Sequence, residues 1–237
     1  VIAGIIKPTF GRVFWDGEDI TDLSVTERAK KGISYAFQQP VRFKGLTVKD
    51  LITAGVFSAL LLVSNALGGG LFAVNPALTF YYPIAGAVLG GPIFMLLLAK
   101  VPKRGALTIV GVVACILGFV TGMHWGMDLG CLIMLTVADI LAGIGQYRNK
   151  GLNILAYMCY CIGPAGSYFV YFADPQGWTA TMLKNGTTQD YIDTMNATAG
   201  QEILVIMVLG TFIVAAVSGT VGNLLMKKQF EKAGVAA

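Results

Sequence analysis

The sequence predicts an all-α membrane protein of six transmembrane helices, both ends cytoplasmic, preceded by a small incomplete α/β fragment. Three observations predict it. About 55% of the 237 residues are apolar and 13% are charged, roughly half the charged share of an average soluble domain, and the mean hydropathy is +0.69. From Thr47 onward the apolar runs are long enough to cross a bilayer, which takes about 20 helical residues. Lys and Arg then fall almost wholly on one side of the resulting topology. This balance excludes an ordinary cytosolic enzyme and a disordered chain. The formal net charge of +4 comes from scattered cations and not from a basic stripe, which excludes a nucleic-acid binder.

Residues 1–46 are soluble in character. They carry 7 of the 17 Lys and Arg and 5 of the 13 Asp and Glu, with no run that could span a bilayer. A strand is expected near 12–15, a helix near 25–31 and a second strand near 33–37. No secretory signal is expected, and with Val1 in place of methionine the first residue is not expected to be a natural translation start.

The six expected spans are 47–67, 79–99, 105–122, 128–147, 152–173 and 201–226, of which the third is the shortest. Turn chemistry separates them: Gly68-Gly69-Gly70, the stretch from Val101 to Gly105, Gly122 to Gly126, Asn149-Lys150-Gly151, and a long polar segment from Asp174 to Gly200. Thr47 followed by Asp50 makes an N-cap with an acid in the first turn, where the helix dipole favours negative charge. Pro83 and Pro92 should kink the second span.

With six spans, Lys49, Lys100, Lys103, Arg104, Arg148, Lys150, Lys227, Lys228 and Lys232 share one side, and Lys184 alone lies on the other. The positive-inside rule places the larger set in the cytoplasm and the 174–200 segment outside. Five spans would scatter these charges over both faces.

His124, Trp125 and Asp128 form the outer turn into the fourth span, and His124 is the single histidine. An imidazole, an indole and a carboxylate so close together could hold a polar aromatic or cationic substrate; an interfacial aromatic belt with a capping acid is the alternative. Asn75, Tyr81 and Tyr82 open the second span, and Tyr82 reads as a belt residue. Asp139 lies near the middle of the fourth span, about 16 Å below Asp128 by helical rise. It is either functional by virtue of its depth or a hydrogen-bonded structural acid. Glu202 reads as a helix-dipole partner. Cys115, Cys131, Cys159 and Cys161 lack metal or redox spacing and read as small buried hydrophobes. One His with one Asp is too few for a metal site, and no cofactor is expected. On the first span, Ala54 with Ser58 and Gly55 with Ala59 repeat small residues at four-residue spacing. This spacing suits either a partner helix or internal packing.

The entry "VKDLITAGVFSAL", the small-residue face after it, the Gly-rich first outer loop and the run "TVADILAGIGQYRNKGLN" together resemble the substrate-binding S-components of energy-coupling factor transporters. Over residues 47–237 the chain is most similar to the Trep_Strep group. The resemblance implies capture of a vitamin, metal ion or other micronutrient near the outer face, under a lid made by the first outer loop. It further implies association with a membrane T-component carrying two cytosolic ABC ATPases, toppling to release the substrate inside, and no chemistry of its own. It implies a multi-pass location in a bacterial cytoplasmic (inner) membrane, and it assigns Ala54, Gly55, Ser58 and Ala59 to the T-component contact. Ser58 stands where the family has alanine.

Residues 1–46 resemble the stretch of an ABC ATPase that starts after the phosphate-binding loop and runs past the Q-loop, with "GRVFWDGEDIT" as strand and turn and Gln38 of "FQQP" as the Q-loop glutamine. No GxxxxGK[ST] loop, ABC signature or acidic metal-binding strand accompanies it. The segment is therefore expected not to hydrolyse ATP. A fusion, deletion or assembly error at the shared run "LTVKDLI", or a functional fusion, accounts for the junction. The expected function is that of an S-component for a small solute. The alternatives are a self-sufficient secondary transporter, for which no internal repeat is visible, and an intramembrane enzyme or receptor, for which Asp139 lacks a matching acid.

Overall fold

The computed structural model describes residues 2–3, 6–33 and 45–227. The chain divides into two compact units, Val1–Lys44 and Gly45–Ala237.

In the first unit, Phe14–Trp15 (β1) pairs antiparallel with Glu18–Asp19 (β2). Asp16 and Gly17 take φ of 50° and 81°, the turn whose twist suits a two-residue hairpin and which Asp-Gly adopts readily. Val25–Lys30 (α1) opens on a capping box between Ser24 and Glu27. The buried Arg28 guanidinium donates to the carbonyls of Thr21, Leu23 and Ile2 at 2.7 to 2.9 Å, and Ile20 is fully buried. The expected strand over 12–15 is thus a short hairpin strand. The one expected over 33–37 lies almost wholly, and Gln38 wholly, outside the described residues.

In the second unit, Val48–Val74 (α2) begins on the expected cap: the Thr47 hydroxyl accepts from the Asp50 N–H at 3.2 Å, and the Asp50 carboxylate accepts from the Thr47 N–H at 2.7 Å. The helix does not stop at residue 67. Gly68-Gly69-Gly70, expected as a loop, are helical, because two of the glycines form a shallow seat for the next segment. A Cβ on Gly69 would lie 2.8 Å from the Tyr82 ring, and one on Gly68 would lie 2.6 Å from the Ala85 carbonyl oxygen. A Gly-rich lid is therefore replaced by a helix surface.

A 3-10 turn at Thr79–Tyr81 leads into Tyr82–Gly86 (α3) and Gly90–Lys100 (α4), with a bend of 47° between the two parts. Pro83 and Pro92 each sit in a first turn, where the missing N–H is not needed. The break frees the carbonyls of Ala87 and Val88. Tyr157 donates to the first and Ser218 to the second, both at 2.7 Å, and the Gly91 N–H donates to the Ser218 Oγ at 3.2 Å. An unpaired carbonyl in hydrocarbon costs several kcal/mol, so these side chains are what allow the helix to bend.

Ala106–Val120 (α5), Trp125–Ile144 (α6) and Lys150–Ile162 (α7) follow, then a 3-10 turn at Gly163–Ala165 and Gly166–Ala173 (α8). The segment expected as polar loop folds as two helices, Pro175–Lys184 (α9) and Gln189–Thr198 (α10), before Gln201–Leu225 (α11). Asp174 and Thr188 cap α9 and α10, whose inner faces bury Trp178, Ile192 and Met195. The overall composition of 174–200 is polar, and this one-sided apolar face does not show in a sum.

Among the described residues four stretches are long and apolar enough to cross a membrane: α2, α6, α7 with α8, and α11; the bent α3–α4 pair makes a fifth. At 15 residues, α5 is about 22 Å long, shorter than a hydrocarbon core of about 30 Å. The six expected spans are thus represented by four or five helices of spanning length and one short apolar helix. Polar bonds sort the connections into two ends. Lys103 pairs with Asp50 at 2.7 Å, and Asn223 Nδ2 donates to the Lys150 carbonyl at 3.4 Å. At the other end Asn185 Nδ2 donates to the Gly122 carbonyl at 2.9 Å and Tyr191 to that of Ala73 at 2.6 Å. One core, around Phe94, Leu107, Leu135 and Tyr157, fills the first end and the middle. A second, around Phe80, Tyr168, Trp178, Ile192 and Met207, binds α9 and α10 onto the bundle.

Candidate functional site

A cavity of about 450 Å³ lies at the end covered by α9 and α10. Each wall is there for a local reason. His124 is the N-cap of α6, with its Nδ1 accepting from the Gly126 N–H at 3.0 Å. Pro164 breaks α7 from α8 and turns Ser167 and Tyr168 towards the cavity. The capped α9 presents Trp178 and Met182, and α10 presents Tyr191 and Met195. The end of α2 and the turn after it supply Ala73 and Thr79.

The polar atoms of these walls are mostly engaged with one another. Trp178 Nε1 donates to Ser167 Oγ at 2.9 Å, Tyr168 donates to the Thr79 carbonyl at 2.7 Å, and Tyr82 donates to Asn65 Oδ1. His124, 2% exposed, lies with its ring centre 5.2 Å from Trp125 and 6.0 Å from Trp178, the latter pair stacked at 27°. Among the described residues, its Nε2 is a buried nitrogen with no hydrogen-bond partner. Burial pushes the imidazole pKa below its usual value and raises that of the Tyr191 hydroxyl. Among the described residues no Asp, Glu, Lys or Arg lines the cavity, so it can hold a small molecule by packing and hydrogen bonding but has no charge to offer an ion.

A second cavity of about 300 Å³ lies between α2, α5 and α6 and shares Tyr82, Met123, Met127 and Pro164 with the first. Asp128 opens onto this second cavity, buried against Gly118, where a side chain would collide with its carboxylate.

The structure therefore separates residues that are neighbours in sequence. His124 lines the first cavity and Asp128 the second, while Trp125, 50% exposed, turns away from both. Asn75 is exposed, its Oδ1 accepting from the Ala77 N–H at 3.0 Å in the turn after α2. Tyr81 lines an open apolar groove with Phe72 and Ile84, and Tyr82, expected as a belt residue, lines both cavities instead. One helical step of about 100° sets the two tyrosines on different faces. Sequence reasoning missed Tyr168, Trp178 and Tyr191. The signal available was an Asp-Pro start at 174–175 followed by Trp178, and Ile192 with Met195 at helical spacing.

Asp139 is an acceptor for structure. Its carboxylate takes the Gly105 N–H at 2.5 Å, the Leu107 N–H at 3.4 Å, the Thr108 hydroxyl at 3.2 Å and the Tyr147 hydroxyl at 3.1 Å. It thereby caps α5, whose own N-cap, Gly105 at φ 92°, has no side chain to do so. It lies five residues from the end of α6, not at its middle.

The four small residues of α2 do not share one face. Ala54 (0% exposed) and Ser58 (5%) point into the bundle, Ser58 donating to the Ala54 carbonyl at 2.8 Å; Ala59 is exposed and Gly55 half-buried with open space around its Cα. Among the described residues no three His, Cys, Asp or Glu side chains converge as metal ligands. Cys161 is buried, and Cys115, Cys131 and Cys159 are half-buried.

Known proteins resemble the two parts separately. A short N-terminal stretch is 46% identical over 50 residues to an uncharacterized ABC transporter ATP-binding protein of Methanocaldococcus jannaschii, covering 21% of this chain and 20% of that one. It is 46% identical over 56 residues to the molybdate/tungstate import ATP-binding protein of Thermococcus kodakarensis (24% and 16%) and 41% identical over 54 residues to a probable ABC transporter ATP-binding protein of Azorhizobium caulinodans (23% and 19%). The chain thus spans a fifth or less of the length of these relatives. No solved structure matches. The family model described as hypothetical bacterial integral membrane protein (Trep_Strep) matches residues 48–232. With helices of membrane-spanning length across that region, the chain is a multi-pass protein of a bacterial membrane and belongs to the Trep_Strep family.

Proposed function

We propose that the protein is the substrate-binding S-component of an energy-coupling factor importer, taking up a small micronutrient-like solute with a membrane T-component and two cytosolic ABC ATPases. The observation that carries this reading is the uncharged cavity at one end of the bundle, of a size for a small solute and walled on one side by α9 and α10. Membership of a membrane-protein family and the likeness of the N-terminal stretch to ABC ATPases support a transport role. In this reading α5 is a sixth, short span and the unit has both ends in the cytoplasm. The Lys103–Asp50 and Asn223–Lys150 bonds gather the cationic connections at one end, which suits the positive-inside rule. The cavity then faces outward.

Asp139 and the interior Ala54 and Ser58 serve the fold in this reading, and the T-component meets the outward side of α2 at Gly55 and Ala59. The protein binds and releases its solute unchanged. Native mass spectrometry of the gently purified protein, followed by uptake of the solute so identified in cells with and without the T-component, tests the reading. Uptake that needs the T-component is expected. Uptake without it would favour the secondary transporter.

A further inference from the structure

Resting on the reading of the 450 Å³ cavity as the capture site, we propose that its substrate is an uncharged heteroaromatic molecule anchored by a hydrogen bond from His124 Nε2–H to a ring nitrogen or carbonyl oxygen. The tautomer follows from one bond. A backbone N–H can only donate, so the Nδ1 that accepts from Gly126 carries a lone pair, and the proton of the neutral ring resides on Nε2. That Nε2–H, on the far edge of the ring from the cap, is buried with no partner among the described residues. A buried donor left unpaired is costly, and its residue lines a cavity most of whose other polar groups are engaged, as Ser167 is with Trp178 and Tyr168 with Thr79. An acceptor on the ligand completes the set.

The rest of the lining selects against charge and for flat, polarisable rings. Among the described residues the cavity has no ionic side chain to repay the desolvation of a carboxylate, phosphate or ammonium group. Met123, Met127, Met182 and Met195 line it together with the Trp178 indole, and thioethers and aromatic faces both pack well against planar heterocycles. The orphan donor fixes orientation, and the apolar walls supply most of the contact area.

The test uses the full chain in detergent and the matched probes hypoxanthine, lumazine and nicotinamide (uncharged) against nicotinate, 1-methylnicotinamide and inosine monophosphate (charged). Two variants divide the roles of the imidazole. His124→Asn keeps an oxygen in the place of Nδ1 and so keeps the cap, but removes the Nε2–H; His124→Gln puts an amide N–H near the Nε2 position. Saturable binding is expected for at least one uncharged probe and for none of the charged ones. It should weaken about tenfold or more in His124→Asn, as for loss of a buried hydrogen bond, with melting temperature kept, and stay within about threefold in His124→Gln. Because the chain has a single histidine, a ¹⁵N-histidine spectrum reads it alone, and it should show the Nε2–H tautomer at pH 7 with the Nε2 signal moving when the probe binds. Preference for a charged probe, no saturable binding at all, full affinity in a folded His124→Asn, or an Nδ1–H or charged ring would each overturn the proposal. Failure of the importer reading shows elsewhere, as probe binding that persists in a protein that never joins a T-component.

Discussion

The Tyr191 hydroxyl donates to the carbonyl of Ala73 at 2.6 Å, across 118 residues of chain. It ties α10 to the last turn of α2, and the cavity lies beneath that tie. Both ends of the bond matter: the carbonyls of a helix's last turn have no partner inside the helix, and the tyrosine ring is itself part of the cavity wall.

Tyr191→Phe removes the hydroxyl while keeping the ring. The expected cost is about 1 kcal/mol of stability, concentrated in α10, so amide exchange over 189–198 should quicken while exchange in the middle of α6 stays unchanged. Equal protection of α10 in variant and wild type would show that the apolar contacts of Ile192 and Met195 alone hold it down.

Asp139→Ala leaves the first N–H groups of α5 and the Tyr147 hydroxyl without their acceptor. Loss of one partner in such a buried network costs about 3 kcal/mol or more, so the melting temperature should fall clearly. Substrate affinity of the protein that remains folded should match wild type. A loss of affinity at unchanged melting temperature would return Asp139 to a functional role.

The pH dependence follows from His124. Burial holds its folded pKa below the unfolded value of 6.5, so between the two values the unfolded chain binds the extra proton and stability rises with pH. The stability is complete above about pH 6.5 and is lost as pH falls from there through the lower folded value. Titrating melting temperature from pH 7.5 to 5 should show this loss in wild type and a reduced loss in His124→Asn. Asp128 lies one helical turn away, and Tyr168 and Tyr191 face the same cavity; the tyrosines do not titrate in this range, which leaves the carboxylate as the group to control for with Asp128→Asn.

Much of the fold was legible because membrane helices announce themselves by length. The Thr47–Asp50 cap was readable from residue type and spacing, and so was a bend in the second span, although Pro83 and Pro92 open its two parts and the break lies between them. What could not be read was which side of a helix each residue faces once every face is apolar. Gly68-Gly69-Gly70 carries the composition of a turn, yet it is a seat for Tyr82 and Ala85, a property of the partner and not of the run. The site was half legible for the same reason. His124, Trp125 and Asp128 sit within one turn and a half, and helical geometry sends them to three different surroundings. The roof over the cavity was hidden because Trp178, Ile192 and Met195 are diluted in a polar segment.

Topology can be read from two exposed positions, Arg148 after α6 and Lys184 at the end of α9. In intact cells, Lys184→Cys should react with an impermeant thiol reagent and Arg148→Cys should not, against a background set by the native cysteines. Gly186 is avoided as a labelling site because its φ of 98° would strain any side chain placed there. Equal reactivity of the two positions would remove the arrangement with both ends in the cytoplasm.

The central claim, that the protein docks as an S-component, is tested most directly by capture of a T-component and its two ATPases on the tagged protein. Helices in lipid associate through close packing and not through a hydrophobic drive, so bulk on the outward side of α2 should hold the partner away. The account predicts that wild type captures the complex and that Gly55→Leu with Ala59→Leu abolishes capture while leaving melting temperature and probe binding near wild type. Ala54→Leu, at a fully buried position, should instead destabilise the bundle itself. Capture by the Gly55→Leu, Ala59→Leu protein equal to wild type, or no capture by wild type, would contradict the account.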